Sequence, residues 1–347
     1  MKNEVKNKDT RFVINTNKTF VIEPNSYCNL KCIHCYVPHA QQYANCMSVT
    51  DADILFDQLK YHGFRYILFT GGEPLAHPQF EKIYENAWDR GFVITIFSNA
   101  VLMNERYMKL FFEKKPALFR SSLFGGTPES YKDVTGFDFF GKALENIKEL
   151  HRNGINVRIK IPLLVQNKNT VKSIHDYLTR IGITNKIESS IIPKYDGDTE
   201  ILKYRLTPEE VIEMKLEDAN AGMLKFIQAK KDAKKVRSAR YCVEHCQPYI
   251  VDSCFNLQFC FFFRELSVSL RDYKLLEALE LLTKKFEEEY CNQKKPACAD
   301  CGRQYICQYC PGWAKNEMGH VDSIIPYLCR LTELYEQKYM EINLKGG

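Results

Sequence analysis

From residue 19 to about 192, short apolar runs alternate with longer stretches whose apolar positions recur at helical spacing. That alternation is the pattern of a parallel sheet with crossover helices. Strands are expected at Thr19–Glu23, Arg65–Phe69, Val93–Phe97, Ala117–Leu123, Asn156–Ile161 and Lys186–Ile192. Helices are expected near Asp51–Tyr61, Pro78–Arg90, Asn104–Lys114, Phe140–Asn153 and Asn169–Ile181. Thr50 and Asp51 are candidate caps of the first helix, and Gly63, Gly91, Gly154 and Gly182 follow helix ends, where a left-handed residue is wanted.

The alternation stops near Lys203. Thr207-Pro208-Glu209-Glu210 then reads as a helix start, with threonine as cap, proline in the first turn and acids beside it. A charged helical bridge is expected to run on to Arg240. The chain divides accordingly into a segment over 1–18, an α/β domain over 19–205, a bridge over 206–240 and a C-terminal domain over 241–347.

Composition narrows the class. At 347 residues and 45% hydrophobic content the chain can bury one large core and a smaller one. No apolar stretch is long enough to span a membrane, and the opening MKNEVKNKDT has no apolar signal region, so a cytoplasmic protein is expected. The net charge of +5 arises without a long basic block, which argues against nucleic acid as a partner. The run KKDAKKVRSAR from Lys230 to Arg240 reads as a solvated helix face and linker, with contact to an acidic peptide as the alternative. Of the fourteen cysteines, ten follow Arg240. Cytosolic thiols are kept reduced, so metal ligation accounts for them better than disulfides do.

The segment CNLKCIHCY places Cys28, Cys32 and Cys35 so that one short loop holds three irons of a cubic 4Fe-4S cluster and leaves the fourth iron open to a small molecule. Further on, the apolar run Tyr66–Thr70 ends in Gly71-Gly72-Glu73-Pro74. A zinc site with His34 as fourth ligand is the bland alternative, but His34 adjoins Cys35 and reads as a spacer. The two features together resemble the radical S-adenosylmethionine (radical SAM) superfamily.

That resemblance implies a partial (β/α)6 barrel and a [4Fe-4S] cluster whose open iron is chelated by S-adenosylmethionine. One electron then cleaves the sulfonium to a 5'-deoxyadenosyl radical. It implies that Tyr36 packs on adenine, that Gly71 and Gly72 let backbone approach the methionine ammonium, and that Glu73 accepts a hydrogen bond from it. Ser122, ending the fourth barrel strand, becomes the ribose contact. Ser98-Asn99 resemble the family's Thr-Asn-Gly turn, with Ala100 in place of the glycine.

The C-terminal cysteines resemble the SPASM domain that follows many radical SAM barrels. Cys298, Cys301, Cys307, Cys310 and Cys329 carry the likeness, with Cys242, Cys246 and Cys260 upstream. The resemblance implies two auxiliary [4Fe-4S] clusters, an inner one on Cys242, Cys246, Cys260 and Cys310 and an outer one on Cys298, Cys301, Cys307 and Cys329. Cys46, Cys254 and Cys291 are left over, although spacing alone would let Cys254 replace Cys242 or Cys246. Two departures stand out: the gap between Cys307 and Cys310 is two residues where three is usual, and Phe255 replaces a glycine five residues before Cys260. A pair of structural zinc sites is the alternative for this domain. The run Phe259-Cys260-Phe261-Phe262-Phe263 is expected to be buried strand that keeps water from the inner cluster.

Relatives that combine these two domains act mostly on peptides and proteins, and the segments Ser122-Leu-Phe-Gly, Tyr131 and Val134-Thr135-Gly136 look like those of maturases of ribosomally made peptides. The expected activity is hydrogen abstraction from a peptide followed by a thioether or carbon-carbon cross-link. An electron donor such as flavodoxin or ferredoxin is expected, and an extended peptide entering along the last barrel strand. About 18 residues precede the first strand, so leader recognition is expected from a separate protein or from the barrel itself. The closest alternative is an anaerobic sulfatase-maturase-like oxidation of serine or cysteine to formylglycine. That family carries an aspartate base after the third ligand of the inner cluster, and Phe261 stands there. A non-enzymatic cluster-binding scaffold is the alternative from another class.

Overall fold

The computed structural model describes residues 4–6, 13–38, 46–214, 238–291 and 297–345. Most of the expected bridge, and the basic run as far as Val236-Arg237, lies outside them.

A short antiparallel ribbon of β1 (Glu4–Lys6) and β2 (Val13–Asn15) precedes the main sheet. Six parallel strands then follow in spatial order: β3 (Thr19–Ile22), β4 (Tyr66–Phe69), β5 (Val93–Ser98), β6 (Leu118–Ser122), β7 (Val157–Pro162) and β8 (Thr184–Glu188). The connecting helices are α1 (Val49–Tyr61), α2 (Phe80–Asp89), α3 (Glu105–Glu113), α4 (Pro128–Thr135), α5 (Phe140–Arg152) and α6 (Val171–Arg180). Alternate strand residues such as Ile67, Ile94, Ile96, Phe119 and Ile159 are buried with Leu55, Ile83, Phe111, Ile147 and Leu178 of the helices, which makes one core between the sheet and its helical layer.

Three details differ from the sequence reading. Ser48, not Thr50 or Asp51, caps α1, its side chain accepting from the Asp51 amide, which leaves Thr50 and Asp51 inside the helix. The last parallel strand starts at Thr184 and ends at Glu188, so Ser189–Ile192 leave the sheet. Helix α4 was not anticipated, yet it has a clear start signal: Thr127 caps it in a reciprocal box with Ser130, with Pro128 in the first turn. Glycines 63, 91, 154 and 182 all have φ between 75° and 82°, as their positions after helix ends require. Thr207 and Glu210 exchange side-chain-to-amide hydrogen bonds of 3.2 and 2.9 Å at the start of the next helix.

The cysteine-rich region is continuous with this sheet. Strand β9 (Ile250–Val251) lies parallel to β3, and β10 (Asn256–Gln258) and β11 (Ser267–Ser269) extend the order outward to nine strands. Helices α7 (Leu275–Tyr290), α8 (Pro311–Met318) and α9 (Pro326–Lys345) complete the described chain. Three arginine–carboxylate pairs join its halves: Arg264 to Glu23 (2.7 and 2.8 Å), Arg271 to Asp51 (2.8 and 2.9 Å) and Arg205 to Glu317 (2.8 and 3.1 Å).

Two positions where related proteins carry glycine have left-handed backbone here, Ala100 at φ 62° and Phe255 at φ 68°. A side chain in that region costs about 1–2 kcal/mol. At Phe255 the cost is offset by a phenyl ring that is 2% exposed and lies 5.6 Å from the Arg271 guanidinium. Ala100→Gly is therefore expected to change unfolding free energy by less than about 1 kcal/mol, strain relief and chain entropy cancelling. Phe255→Gly is expected to lose about 3 kcal/mol or more, because the cavity outweighs the relieved strain; urea denaturation of the two variants measures the contrast.

Candidate active site

The loops that carry the candidate residues follow the carboxyl ends of β3 to β6, where parallel α/β sheets place ligands. Between β3 and α1 the loop bearing Cys28, Cys32 and Cys35 is pinned to the end of α4. The amides of Lys31 and Ile33 donate to the Thr135 and Val134 carbonyls at 2.9 and 3.0 Å. Within the loop, the Cys35 amide donates to Cys32 O at 3.1 Å. Burial pushes all three thiols up, Cys28 to about 12, with Glu73 adding its charge there. On Cys32 the next contributions come from Cys35 and Cys28, so the sulfurs lie close enough to oppose one another's ionisation.

Glu73 sits at the centre of the rim and is 1% exposed. Its carboxylate accepts from Ser98 Oγ (2.7 Å), the Asn99 amide (2.7 Å) and the Leu75 amide (3.1 Å), which ties the turn after β4 to the turn after β5. Asn99 in turn donates to Asn29 Oδ1 at 2.8 Å and to Cys28 Sγ at 3.9 Å. The expected Glu73–ammonium contact thus falls on a group already engaged by three protein donors. The glycines before it also have a nearer reason than a ligand. A Cβ on Gly71 or Gly72 would overlap the Asn25 or Tyr27 carbonyl, so the space they leave is filled by the chain's own backbone.

Tyr36 is 39% exposed, and its ring lies 4.8 Å from that of Tyr195. Tyr195 stacks on Phe261 at 5.6 Å, and the Arg264 guanidinium covers both rings at 4.9 and 5.2 Å. The run expected as buried strand is instead a turn after β10: Phe261 and Phe262 are half-buried, Phe261 within this stack, whereas Phe259 and Phe263 are fully buried. Tyr195 and Arg264 had no signal in spacing; an arginine closing an aromatic run was the one available cue for the latter. His34 packs against Phe124 at 5.6 Å, and burial lowers its pKa to about 4. Ser122 ends β6 opposite Lys160 of β7.

Eight of the remaining thiols fall into two neighbourhoods. Cys242 and Cys246 lie at the two ends of a π-helical turn, a rare element that recurs at functional sites. The Cys242 thiol is within hydrogen-bonding reach of Cys246 and feels the charges of Cys310 and Cys260, which with burial raise its pKa far above the ordinary value. Cys260 is pushed up to about 12 by burial, then by Cys310. Cys298 is pushed up to about 11 by burial and by Cys329, Cys307 and Cys301. Cys254 is exposed, and its amide donates to Asp252 Oδ1 at 2.9 Å.

Residues 22–181 match the model of the Radical SAM superfamily. Those residues form a radical SAM domain, with the α/β fold of that class, and a cysteine-rich C-terminal region follows it. Two curated relatives are the Fe-coproporphyrin III synthase of Methanosarcina barkeri (29% identical over 154 residues, 44% of this chain and 38% of that protein) and the antilisterial bacteriocin subtilosin biosynthesis protein AlbA of Bacillus subtilis (26% over 162 residues, 44% and 34%). The chain thus spans well under half the length of either. Among solved structures, native anSMEcpe with bound AdoMet and Kp18Cys peptide superposes with a TM-score of 0.73 at 17% identity, covering 93% of this chain and 97% of that one. Streptococcus suis SuiB bound to precursor peptide SuiA gives 0.67 at 16%, covering 85% and 71%.

Burial raises the Glu73 pKa from 4.5 to about 7. Between those values the folded state holds a proton that the unfolded chain has released, so unfolding free energy falls as pH rises through this window and levels off above about 7. The drop is expected to be about 3 kcal/mol. Denaturation of the metal-free protein from pH 4 to 8 should show it, and Glu73→Gln should flatten it.

Proposed function

We propose that this protein is a peptide maturase that uses S-adenosylmethionine to abstract hydrogen from a ribosomally made peptide and form a thioether or carbon-carbon cross-link. The observation that carries the reading is the segregation of eleven thiols into a set of three on the barrel rim and two sets of four beyond it. Among the described residues no three Cys, His, Asp or Glu side chains converge as a single metal ion requires. Sets of four thiols behind a radical SAM domain fit iron-sulfur clusters better than zinc, because zinc is redox-inert.

In this reading Cys28, Cys32 and Cys35 hold a [4Fe-4S] cluster with one open iron, which with bound S-adenosylmethionine supplies a hydrogen-abstracting carbon radical. Gly71, Gly72 and Glu73 set the shape of the adjoining turn, Tyr36 offers a face for adenine, and Ser122 a hydroxyl for the ribose. Cys242, Cys246, Cys260 and Cys310, and separately Cys298, Cys301, Cys307 and Cys329, hold two auxiliary clusters. Neighbouring thiolates repel one another, and bound metal would supply the compensating cations in both sets.

The peptide as substrate is supported by the fold shared with anSMEcpe and SuiB and by the free edge of β8, which pairs only with β7 among the described strands. A flavodoxin or ferredoxin would deliver the electron, and a separate protein or the barrel would recognise a leader. Formylglycine formation is the second reading, favoured by the coverage of the anSMEcpe structure. It is weakened at Phe261, an aromatic side chain with no site to accept a proton. Non-enzymatic cluster storage predicts iron loading without cofactor cleavage.

Anaerobic reconstitution is expected to load about twelve irons per chain and to yield 5'-deoxyadenosine from S-adenosylmethionine. Alanine at Cys28, Cys32 or Cys35 should remove about four irons and all cleavage. Alanine at Cys242 or Cys298 should also remove about four yet leave cleavage measurable while blocking peptide product. Iron loading without any 5'-deoxyadenosine would favour the scaffold.

A further inference from the structure

The face of the sheet turned away from the helices gathers cations at one place, with Glu188 of β8 at their edge. In β6 and β7 the buried residues Phe119, Ser121, Val157, Ile159 and Ile161 point to the helical layer, so Arg120, Arg158 and Lys160 point to the concave side, and all three are exposed. Register sets them in contact rows: Arg120 lies opposite Arg158, and Lys160 opposite Lys186 of β8. Lys186 is matched by Glu188 at 2.8 Å. Glu188 is also near enough for its charge to act on Lys160, while among the described residues no carboxylate comes within ion-pair distance of Arg120 or Arg158.

Like charges directly opposite one another in a sheet are destabilising. Arg120 is steadied by the Phe97 ring 5.1 Å away, a contact that leaves its charge unneutralised. The belt also reaches the rim, since Lys160 lies opposite Ser122 at the carboxyl end of β6. Neighbouring strands are about 4.8 Å apart, and same-face residues on one strand about 6.7 Å apart. Arg158 and Lys160 therefore match the spacing of two side chains at alternate positions of an extended peptide lying along β7.

We propose that this basic belt binds an acidic segment of the substrate peptide, with carboxylates two residues apart, and so sets which neighbouring residue reaches the thiol-lined rim. The inference rests on the peptide reading above and adds the chemical class of the peptide. A free polycarboxylate shares the recognised chemistry, and the test separates the two sources.

Fluorescence anisotropy of the full-length protein is measured with a rhodamine-labelled pentapeptide bearing glutamates at alternate positions, with its glutamine counterpart and with a lysine counterpart. Citrate serves as competitor. The glutamate peptide is expected to bind at least about tenfold more tightly than the glutamine peptide, with affinity falling as salt rises. Arg120→Gln/Arg158→Gln should remove that preference, and Arg120→Glu/Arg158→Glu should transfer it to the lysine peptide. Equal or absent binding of the glutamate and glutamine peptides, or a preference unchanged in both double variants, overturns the proposal. Binding of citrate with no binding of the peptide overturns the peptide as its source. Formation of 5'-deoxyadenosine by the iron-loaded protein is followed in parallel: cleavage without acidic preference sinks the belt alone, and acidic preference without cleavage sinks the radical reading alone.

Discussion

The close approach of two backbones at the end of β4 is the constraint on which the site depends. The Gly72 and Glu73 amides donate to the Asn25 and Tyr27 carbonyls at 3.3 and 2.7 Å, and Asn25 Nδ2 returns a bond to the Glu73 carbonyl at 2.9 Å. No side chain fits between these strands of backbone at residues 71 and 72. The contact seats the start of the cysteine loop on the turn after β4, and Glu73 then holds the turn after β5 against both. Three loops that are free in sequence become one rigid rim. The end of α4 holds the other side of the cysteine loop, so the three thiols are fixed from two directions.

The same logic joins the cysteine-rich region to the barrel. Its strands continue the sheet beyond β3, and guanidinium groups from it or from the barrel's end clasp carboxylates across the junction. Arg205 and Glu317 are 6% and 10% exposed, so neither charge is solvated enough to stand alone. Trp313 Nε1 adds a bond to Glu317 at 2.6 Å, and the Tyr327 ring lies 4.2 Å from the guanidinium. Buried pairs of this kind contribute little net stability when intact but are costly to break singly, so they favour one relative placement of the two regions.

Much of this was legible from periodicity and spacing. Five of the six barrel strands and all five anticipated helices lie where apolar alternation placed them, because their buried faces are long enough to register. The last strand was misplaced because Thr184–Glu188 is an edge strand with little buried surface, and its pattern is weak. Helix α4 carries its cap in Thr127-Pro128, but with 8 residues it is too short for helical apolar spacing to stand out. The two missing glycines were visible as departures, but their meaning was not: Ala100 and Phe255 keep the left-handed backbone that glycine would have taken. Tyr195 left no trace in the sequence, and Arg264 only its place at the end of an aromatic run, because each acts through contacts with segments more than a hundred and fifty residues or some seventy residues away.

Those two residues change how the site is understood. Tyr36 directly follows Cys35 and Phe261 directly follows Cys260, so one ring is attached to each of two separate thiol sets. Tyr195 is the ring between them, and its amide donates to the Tyr36 carbonyl at 2.9 Å. Arg264 lies over Tyr195 and Phe261 while its guanidinium is held by Glu23 at the end of β3, the strand that leads into the cysteine loop. The barrel rim and the cysteine-rich region therefore meet through a stack of flat side chains anchored by a charge pair. Packing of this kind makes the separation of Cys35 from Cys260 a property of the fold.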